Sequence, residues 1–197
     1  NMLSDYAAIK NGSYGKLMKA YYAKQDAEKL SGKGDTSQKL TLMKTSADSL
    51  KKSADALNDS SLWEKKKIKK KDEKTGEEIE VEDYDWDKIT KAVKSFVEDY
   101  NDVVKEAGES NTKDVLRNAS WMTGMTDKNS NMLAKIGITI GKGNKLELDE
   151  DALKQADISS LKTVFTGYNS FVSKISQKAT GISNAANRAS ATYTNNG

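Results

Sequence analysis

Three narrow stripes of apolar residues constrain what this chain can fold into. Each stripe repeats in alternating steps of three and four residues, the spacing that lines up side chains along the seam of a coiled coil. The stripes are Leu40, Met43, Ala47, Leu50, Ala54, Leu57, then Ile89, Val93, Phe96, Tyr100, Val103, Ala107, and finally Tyr168, Val172, Ile175, Ala179, Ile182, Ala186, Ala189, Tyr193. They predict three long helices that pack along their seams, with Ala186 and Ala189 facing the bundle and Lys174 and Lys178 facing outward.

The missing residue types limit the chemistry of the 197-residue chain, which contains no His, no Cys and no Pro. Without imidazole or thiolate it lacks the usual general base, the cysteine nucleophile and the Cys/His zinc or haem site. The absence of proline suits long uninterrupted helices. We therefore expect a non-enzymatic protein with no catalytic, cofactor-binding or metal-binding residues and no small-molecule substrate.

The charge balance argues against a nucleic-acid or membrane-surface protein. Lys and Arg number 32 and Asp and Glu 29, a net charge of +3, and Arg117 and Arg188 are the only arginines. No apolar run is long enough to span a bilayer, and the opening residues NMLSDYAAIK lack the form of a cleavable signal peptide. Hydrophobic residues make up 36% of the chain, which suits an elongated body better than a sphere.

Shorter elements are predicted between and around the three stripes. A short amphipathic helix is expected from Ser13 to Leu30, and another from Thr112 to Met122, followed by a loop at GMTDKNSN. The segment from Ile136 to Leu148 reads as two alternating runs around a Gly-rich turn, which predicts a β-hairpin. Helix caps are expected at Asp149 and Ser159, with a helix stop at Gly167.

A highly charged segment, residues 63–87, separates the first two stripes. Its lysine run around Ile68 is followed by an acidic run around Ile79 and Val81, and between Glu64 and Asp87 there are 7 basic and 10 acidic residues. A turn at DEKTG would place opposite charges across an antiparallel pair and like charges only after a register slip. The pattern predicts an exposed, self-neutralising β-hairpin anchored by packing of Trp63 and Trp86 at its two feet.

Two other kinds of function stay open from the residues alone. The lysine run would support a nucleic-acid-binding module, whose oligonucleotide binding would depend on salt. A carboxylate-based glycan hydrolase would need the tryptophans Trp63, Trp86 and Trp121 and two carboxyl groups about 5–10 Å apart in a cleft. The turn from Gly141 to Asn144 lacks the phosphate-loop pattern, and the acidic residues 147–151 lack calcium-loop spacing, so a turn and a helix start are expected there.

A succession of short patterns resembles the C-terminal part of flagellar hook-associated protein 2, the bacterial filament cap. The patterns lie between Asp85 and Gly167, 83 of the 197 residues. In order they are Phe96-Val97 with Tyr100-Asn101 and Val103-Val104, then Leu116-Arg117, Ile136-Gly137-Ile138, Asn144-Lys145-Leu146, Leu148-Asp149, Leu153 and Val164-Phe165-Thr166-Gly167. The third stripe stands where that family has its C-terminal coiled-coil helix.

The resemblance implies a non-enzymatic assembly protein, exported without a cleaved signal peptide to the extracellular bacterial flagellum. It implies flagellin or other flagellar axial proteins as partners, and a homo-oligomer in a longer form. We expect a mainly α fold: an elongated helical bundle with coiled-coil-like heptad helices and two small β-hairpins. Residues 1–197 are expected to form a single helical domain that carries residues 63–87 as an insertion, monomeric or weakly associating by itself.

Overall fold

The computed structural model describes residues 34–196, with side chains described through residue 192, so the helix predicted from Ser13 to Leu30 lies outside the described residues. The described part is mainly α-helical with two small antiparallel hairpins, as the sequence predicts. Its helices are α1 (Ser37–Leu57), α2 (Trp86–Gly108), α3 (Lys113–Lys128), α4 (Ser130–Ala134), α5 (Glu150–Gln155), α6 (Ile158–Phe165) and α7 (Phe171–Asn196). The hairpins are β1 (Lys66–Lys71) with β2 (Glu78–Asp83), and β3 (Ile138–Ile140) with β4 (Leu146–Leu148).

The four longer helices pack around one core. Helix α1 packs against α7 and α2, and α3 closes the arrangement by packing against α7 and α2 in turn. Helices α1, α2, α3 and α7 therefore lie at the corners of a four-helix bundle. No helix in residues 34–196 is long and apolar enough to cross a membrane.

The first two predicted seams are confirmed, because every residue of both is buried in the core. The third seam is confirmed from Val172 to Ala186, and Ala189 packs partly buried against the same core. Lys174 is exposed, as expected, while the side chain of Tyr193 lies outside the described ones.

The prediction that Tyr168 opens the third seam is wrong. Tyr168 is 84% exposed and precedes helix α7, whose first core residue is Phe171. Gly167 takes a left-handed backbone conformation with φ of 102°, and the Ser170 hydroxyl accepts a hydrogen bond from the Ser173 N–H at the start of α7. The chain therefore reverses at Gly167 and begins a new helix, so helical spacing counted through Tyr168 has no structural meaning.

The predicted end of α3 at Met122 and the loop GMTDKNSN are also wrong, since α3 continues to Lys128 and α4 follows after Asn129. The polar residues of this segment are satisfied inside the helix. Thr123 and Thr126 are buried and donate their hydroxyls to carbonyls of the preceding turn. A hydroxyl bonded in this way adds no unsatisfied polar group to the core.

Cap positions are partly as predicted. Asp149 caps α5 by accepting a hydrogen bond from the Ala152 N–H at 3.1 Å. Ser159 is not a cap, because α6 begins at Ile158 and its cap residue is Asp157. The chain leaves α6 through Thr166 and the left-handed Gly167, where a stop is predicted.

Helices α1 and α7 run antiparallel and are joined beside their seam by two hydrogen bonds one heptad apart. The Ser183 hydroxyl donates to Asp48 and the Ser176 hydroxyl donates to Asp55, each at 2.6 Å. Each aspartate is also paired with the lysine four residues before it in α1. At the end of this helix pair, the Asn58 side chain exchanges two hydrogen bonds with the backbone of Gly167.

Candidate functional site

The short patterns that suggest a family lie together in the structure, where they hold the second hairpin on the bundle. Gly137 has φ of 91°, and a β-carbon there would lie 2.7 Å from the Asp149 carbonyl oxygen and 3.0 Å from the Leu153 nitrogen. Its own carbonyl accepts a hydrogen bond from the Asp149 N–H at 2.8 Å. Only glycine fits this close approach, so Gly137, Asp149 and Leu153 act as one packing unit.

Two further pattern residues tie helix α2 to the segments that follow it. The Asn101 side chain exchanges two hydrogen bonds with the backbone of Leu146, at 3.0 and 2.7 Å. The Tyr100 hydroxyl donates to Thr126 Oγ1 at 2.8 Å, and burial raises the pKa of this phenol far above its usual value. These residues are therefore committed to holding α2, α3 and β4 in place.

The first hairpin carries the strongest charge pattern of the described residues. Its register pairs Lys66 with Asp83, Lys67 with Glu82, Lys69 with Glu80 and Lys71 with Glu78, as the sequence predicts. The turn over residues 72–77 closes with hydrogen bonds from Asp72 N–H to the Glu77 carbonyl and from Gly76 N–H to the Asp72 carbonyl, both 2.8 Å. The two strands pack on each other and make no extensive contact with other described elements, so the hairpin projects from the bundle.

The feet of this hairpin are fixed in the core. Trp63 is 1% exposed, stacks on Phe165 with ring centroids 5.5 Å apart, and donates its indole N–H to the Leu57 carbonyl at 2.7 Å. Trp86 packs partly buried against the core and makes an edge contact with Tyr84. The two tryptophans anchor the segment as predicted, Trp63 by stacking on Phe165 and Trp86 by packing against the core.

A buried carboxylate that the sequence patterns do not reveal clasps the entry of α1 to the start of α3. Asp35 is 3% exposed and accepts hydrogen bonds from the Ser110 and Thr112 hydroxyls, each at 2.6 Å, and from the N–H groups of Asn111 and Thr112. Burial alone would raise the pKa of Asp35, but these four donors outweigh it and lower the pKa below its usual value. Asp35 thus fixes the segment that leads into α3, residues 110–112, to the start of α1.

An open groove of about 660 Å³ runs between α2 and the start of α5. Val97 and Leu148 supply its apolar surface, and its charged rim consists of Lys94, Glu98, Asp149, Glu150 and Asp151. No aromatic residue lines it, and Trp63 is buried in the core elsewhere, so this groove does not combine a tryptophan with its carboxylates. Asp149 is moreover engaged as the cap of α5.

The remaining sequence candidates also have structural roles. Residues 141–144 form the turn between β3 and β4, with Gly143 and Asn144 both at positive φ. No cluster of three or more His, Cys, Asp or Glu suited to a metal ion occurs among residues 34–196. Trp121 is 50% exposed on α3, and the Lys178 ammonium lies 4.7 Å from its ring centroid, a cation–π contact between α3 and α7.

The fold and these sites define a helical-bundle protein whose recognisable patterns serve packing between elements, with a charged hairpin projecting from the bundle. Residues 110–197, from the start of α3 to the end of the chain, match the family model described as flagellar hook-associated protein 2 C-terminus. The resemblance stated from the sequence is therefore confirmed for the C-terminal part of that family. No curated protein and no solved structure is significantly similar to the chain.

Proposed function

We propose that this chain is a non-enzymatic structural protein of the flagellar filament-cap type, which acts through protein–protein contacts of its helix bundle. The observation that carries the proposal is the family match over residues 110–197. Those residues supply α3 and α7, two of the four bundle helices. The bundle is thus built in large part from the segment that defines the family.

The nature of the pattern residues supports an assembly role. Gly137, Asn101 and Tyr100 hold backbone and neighbouring helices, and none of them lines the groove beside α5. A protein whose distinctive residues all fix the relative positions of elements is suited to presenting a rigid surface. The proposed partners are flagellin or other flagellar axial proteins, and the proposed location is the extracellular flagellum.

A deletion in the source bacterium tests this function. Without the protein, we expect flagellin subunits to be exported but not assembled, so that monomeric flagellin accumulates in the culture medium and swimming is lost. The intact gene should restore filaments, and the protein itself should appear at the cell exterior. Normal filaments and unchanged flagellin in the medium after deletion would refute the proposal.

Variants separate a specific role from a general folding defect. Val172→Asp, in the centre of the α7 seam, places a charge in the core and should abolish complementation together with folding. Lys174→Asp lies two residues away on the exposed face and should leave folding intact. If the Lys174→Asp variant is folded, reaches the cell exterior and still complements the deletion, this face of α7 is not the flagellin-binding surface. The cap-type function itself is tested by the deletion, not by this variant.

The lysine strand does not favour the nucleic-acid alternative. Each of the lysines 67, 69 and 71 lies opposite a glutamate in the hairpin register. A phosphate backbone laid on this face would meet a glutamate beside each of these three lysines, since the β-carbons of opposite residues are about 5 Å apart. Titration of a labelled oligonucleotide at low and high salt decides the point, and we expect no salt-dependent binding.

A further inference from the structure

The projecting hairpin has two open edges, and the pairing pattern shows which backbone groups point outward. In an antiparallel pair, residues alternate between those bonded to the partner strand and those whose N–H and C=O face away. The hydrogen bond from Asp72 N–H to the Glu77 carbonyl sets the phase of this alternation. Because Asp72 and Glu77 are bonded to each other, every second residue from them along each strand is also bonded to the partner strand, and the residues in between are not. The backbone N–H and C=O groups of lysines 67, 69 and 71 therefore point outward on β1, and those of glutamates 78, 80 and 82 point outward on β2.

The edge of β1 is the more strongly charged of the two. Five of its six residues are lysines, and only Lys70 forms an ion pair with a carboxylate, that of Asp83, among the described residues. The β2 edge carries four acidic residues together with Ile79 and Val81. Lysines on an edge block pairing with basic or apolar strands, but they leave the edge open to a strand of opposite charge.

We propose that the outer edge of β1 accepts an extended acidic segment of a partner protein, which adds to the hairpin as a third strand. Its backbone would bond to the outward groups of Lys67, Lys69 and Lys71, and acidic side chains at every second position would face these lysines. Opposite Ile68, an apolar residue fits best. The β2 strand, with the sequence EIEVED, shows that this pattern pairs with β1 in the register observed.

A separate acidic segment fits this edge better than the hairpin of a second copy does. Strands in a sheet are about 4.8 Å apart. If the acidic β2 strand of a second copy paired with the outer edge of β1, the two hairpins would lie side by side, about 10 Å apart along their whole length. A four-helix bundle is about 20 Å wide, because each helix with its side chains is about 10 Å across. Two bundles would collide at that spacing, whereas a single extended segment carries no such body with it.

Binding of an acidic segment at this edge does not depend on the flagellar function, because an edge strand can bind such a segment in any protein that acts through protein–protein contacts. A peptide with the sequence of residues 77–84, EEIEVEDY, serves as the probe, and its scrambled form EEEEDIVY has the same charge without the alternation. We expect the whole chain to bind the alternating peptide at least about tenfold more tightly than the scrambled one, because only the former can form the ladder. Binding is measured by fluorescence anisotropy of the labelled peptides.

Amide hydrogen exchange distinguishes addition of a strand from displacement of β2. On peptide binding, the amides of Lys67, Lys69 and Lys71 should gain protection, since they are the outward ones. If the peptide replaced β2, these amides would stay open to solvent, and the proposal would be overturned.

Two proline variants form a matched pair. Lys69→Pro removes an outward N–H from the β1 edge, and Glu80→Pro removes one from the opposite edge of the same cross-strand pair. We expect Lys69→Pro to weaken peptide binding about tenfold, as for the loss of edge hydrogen bonds, and Glu80→Pro to leave it within about twofold. Should both disrupt the hairpin, the triple variant Lys67→Gln, Lys69→Gln, Lys71→Gln replaces them, with the same expected loss.

Other occupants would give other results. Equal binding of the scrambled peptide would reduce the interaction to unspecific charge attraction. Tighter binding of a single-stranded oligonucleotide of the same charge would make the edge a nucleic-acid site. Dimerisation of the unliganded chain that Lys69→Pro abolishes would identify a second copy as the occupant. Each of these outcomes contradicts the proposal of an acidic partner segment.

Discussion

At the scale of single residues, Asp35 is the clearest case of a side chain that fixes two distant parts of the chain. It stands 75 residues before Ser110 and 77 before Thr112 in the sequence, yet bonds to both. Asp35 accepts from the N–H groups of Asn111 and Thr112 and from the hydroxyls of Ser110 and Thr112, and of these donors only the Thr112 N–H has another acceptor, the Ser110 hydroxyl at 3.0 Å. Removing the carboxylate therefore leaves several donors unsatisfied at once.

Replacement of this carboxylate is predicted to destabilise the bundle. Asp35→Ala should lower the free energy of unfolding by about 2–3 kcal/mol, the range for losing charged hydrogen bonds and leaving buried donors unpaired. Urea unfolding followed by circular dichroism measures the change. Asp102→Ala, at an exposed position on α2, is the control and should stay within about 0.5 kcal/mol of the wild type. An equal, small effect of both would show that the clasp contributes nothing.

The same residue predicts an acid-sensitive part of the stability. Because the folded-state pKa of Asp35 is lowered, its contribution is fully present above the unfolded pKa of about 3.9 and is lost as the pH falls through the lower folded value. The stability difference between the wild type and Asp35→Asn should thus be constant from pH 7 to about 5 and shrink below about pH 4. Urea unfolding of both proteins at these pH values tests it, and a difference that persists unchanged at pH 2.5 would contradict the assignment.

Single-residue contacts of this kind could not be predicted from the sequence. The segment containing Asp35 indicates a helix stop and a loop, and nothing in its spacing points to residues 75 positions away. In contrast, Asp149 was predictable as a cap because its partner, Ala152, is three residues further along the chain. Local hydrogen bonds leave a sequence signal, whereas tertiary ones depend on how the helices pack.

At the scale of elements, the narrow seams were predictable because a buried stripe must repeat at the helical period, whichever helix covers it. Helix α3 was predicted too short because its second half contains Thr123, Gly124, Thr126 and Asp127, residue types that are unfavourable inside helices and typical of loops. The bundle overrides that preference by burying Gly124 and Thr126 against neighbouring helices. Tyr168 was wrongly assigned to the third seam. The chain turns at Gly167 and a new helix begins after Tyr168, although the three-and-four spacing of the seam residues continues in the sequence without a break.

The two hydrogen bonds beside the α1–α7 seam can be tested as a register device. A double-mutant cycle on Asp48→Ala and Ser183→Ala should give a coupling energy of about 0.5–1 kcal/mol, as expected for a half-exposed hydrogen bond. The pair Asp55 and Ser176 should behave alike.

Mismatched cycles provide the control for this coupling. Asp48 with Ser176, and Asp55 with Ser183, combine the same residue types one heptad out of step. Their coupling energies should be near zero, and chemical denaturation measures all four cycles. Equal coupling in matched and mismatched pairs would mean that α1 and α7 are not held in the observed register.

The charged hairpin is proposed to be an insertion that the bundle does not need for folding. Its strands pack on each other and make no extensive contact with the described helices, while Trp63 is buried in the core and Trp86 packs against it. Replacing residues 66–80 by a short Gly-containing turn should leave helicity and cooperative thermal unfolding intact, since loop length has a weak effect on stability. Circular dichroism during heating tests this, and a broad, uncooperative transition would show that the hairpin is part of the core.

At the scale of the whole molecule, packing within the chain determines how much of the apolar seams is left to contact a second copy. The seams of α1, α2 and α7 are all turned into one shared core. The large apolar residues left exposed in the described part, Leu42, Ile79, Trp121 and Tyr168, lie on separate elements. A stable dimer interface is usually a contiguous patch of about 800 Å² on each partner, which scattered side chains do not provide.

We therefore predict that the 197-residue chain is monomeric or only weakly associating at micromolar concentration. Sedimentation velocity over a range of concentrations should give one species near the monomer mass of 21.6 kDa. A longer form with both termini extended should assemble. Helices α1 and α7 are antiparallel, so the start of α1 and the end of α7 lie at the same end of the bundle, and seams that continue beyond that end are not covered by any of the described helices. A tight ring formed already by the 197-residue chain would place the interface in the bundle itself and would contradict the assignment of its seams to packing within one chain.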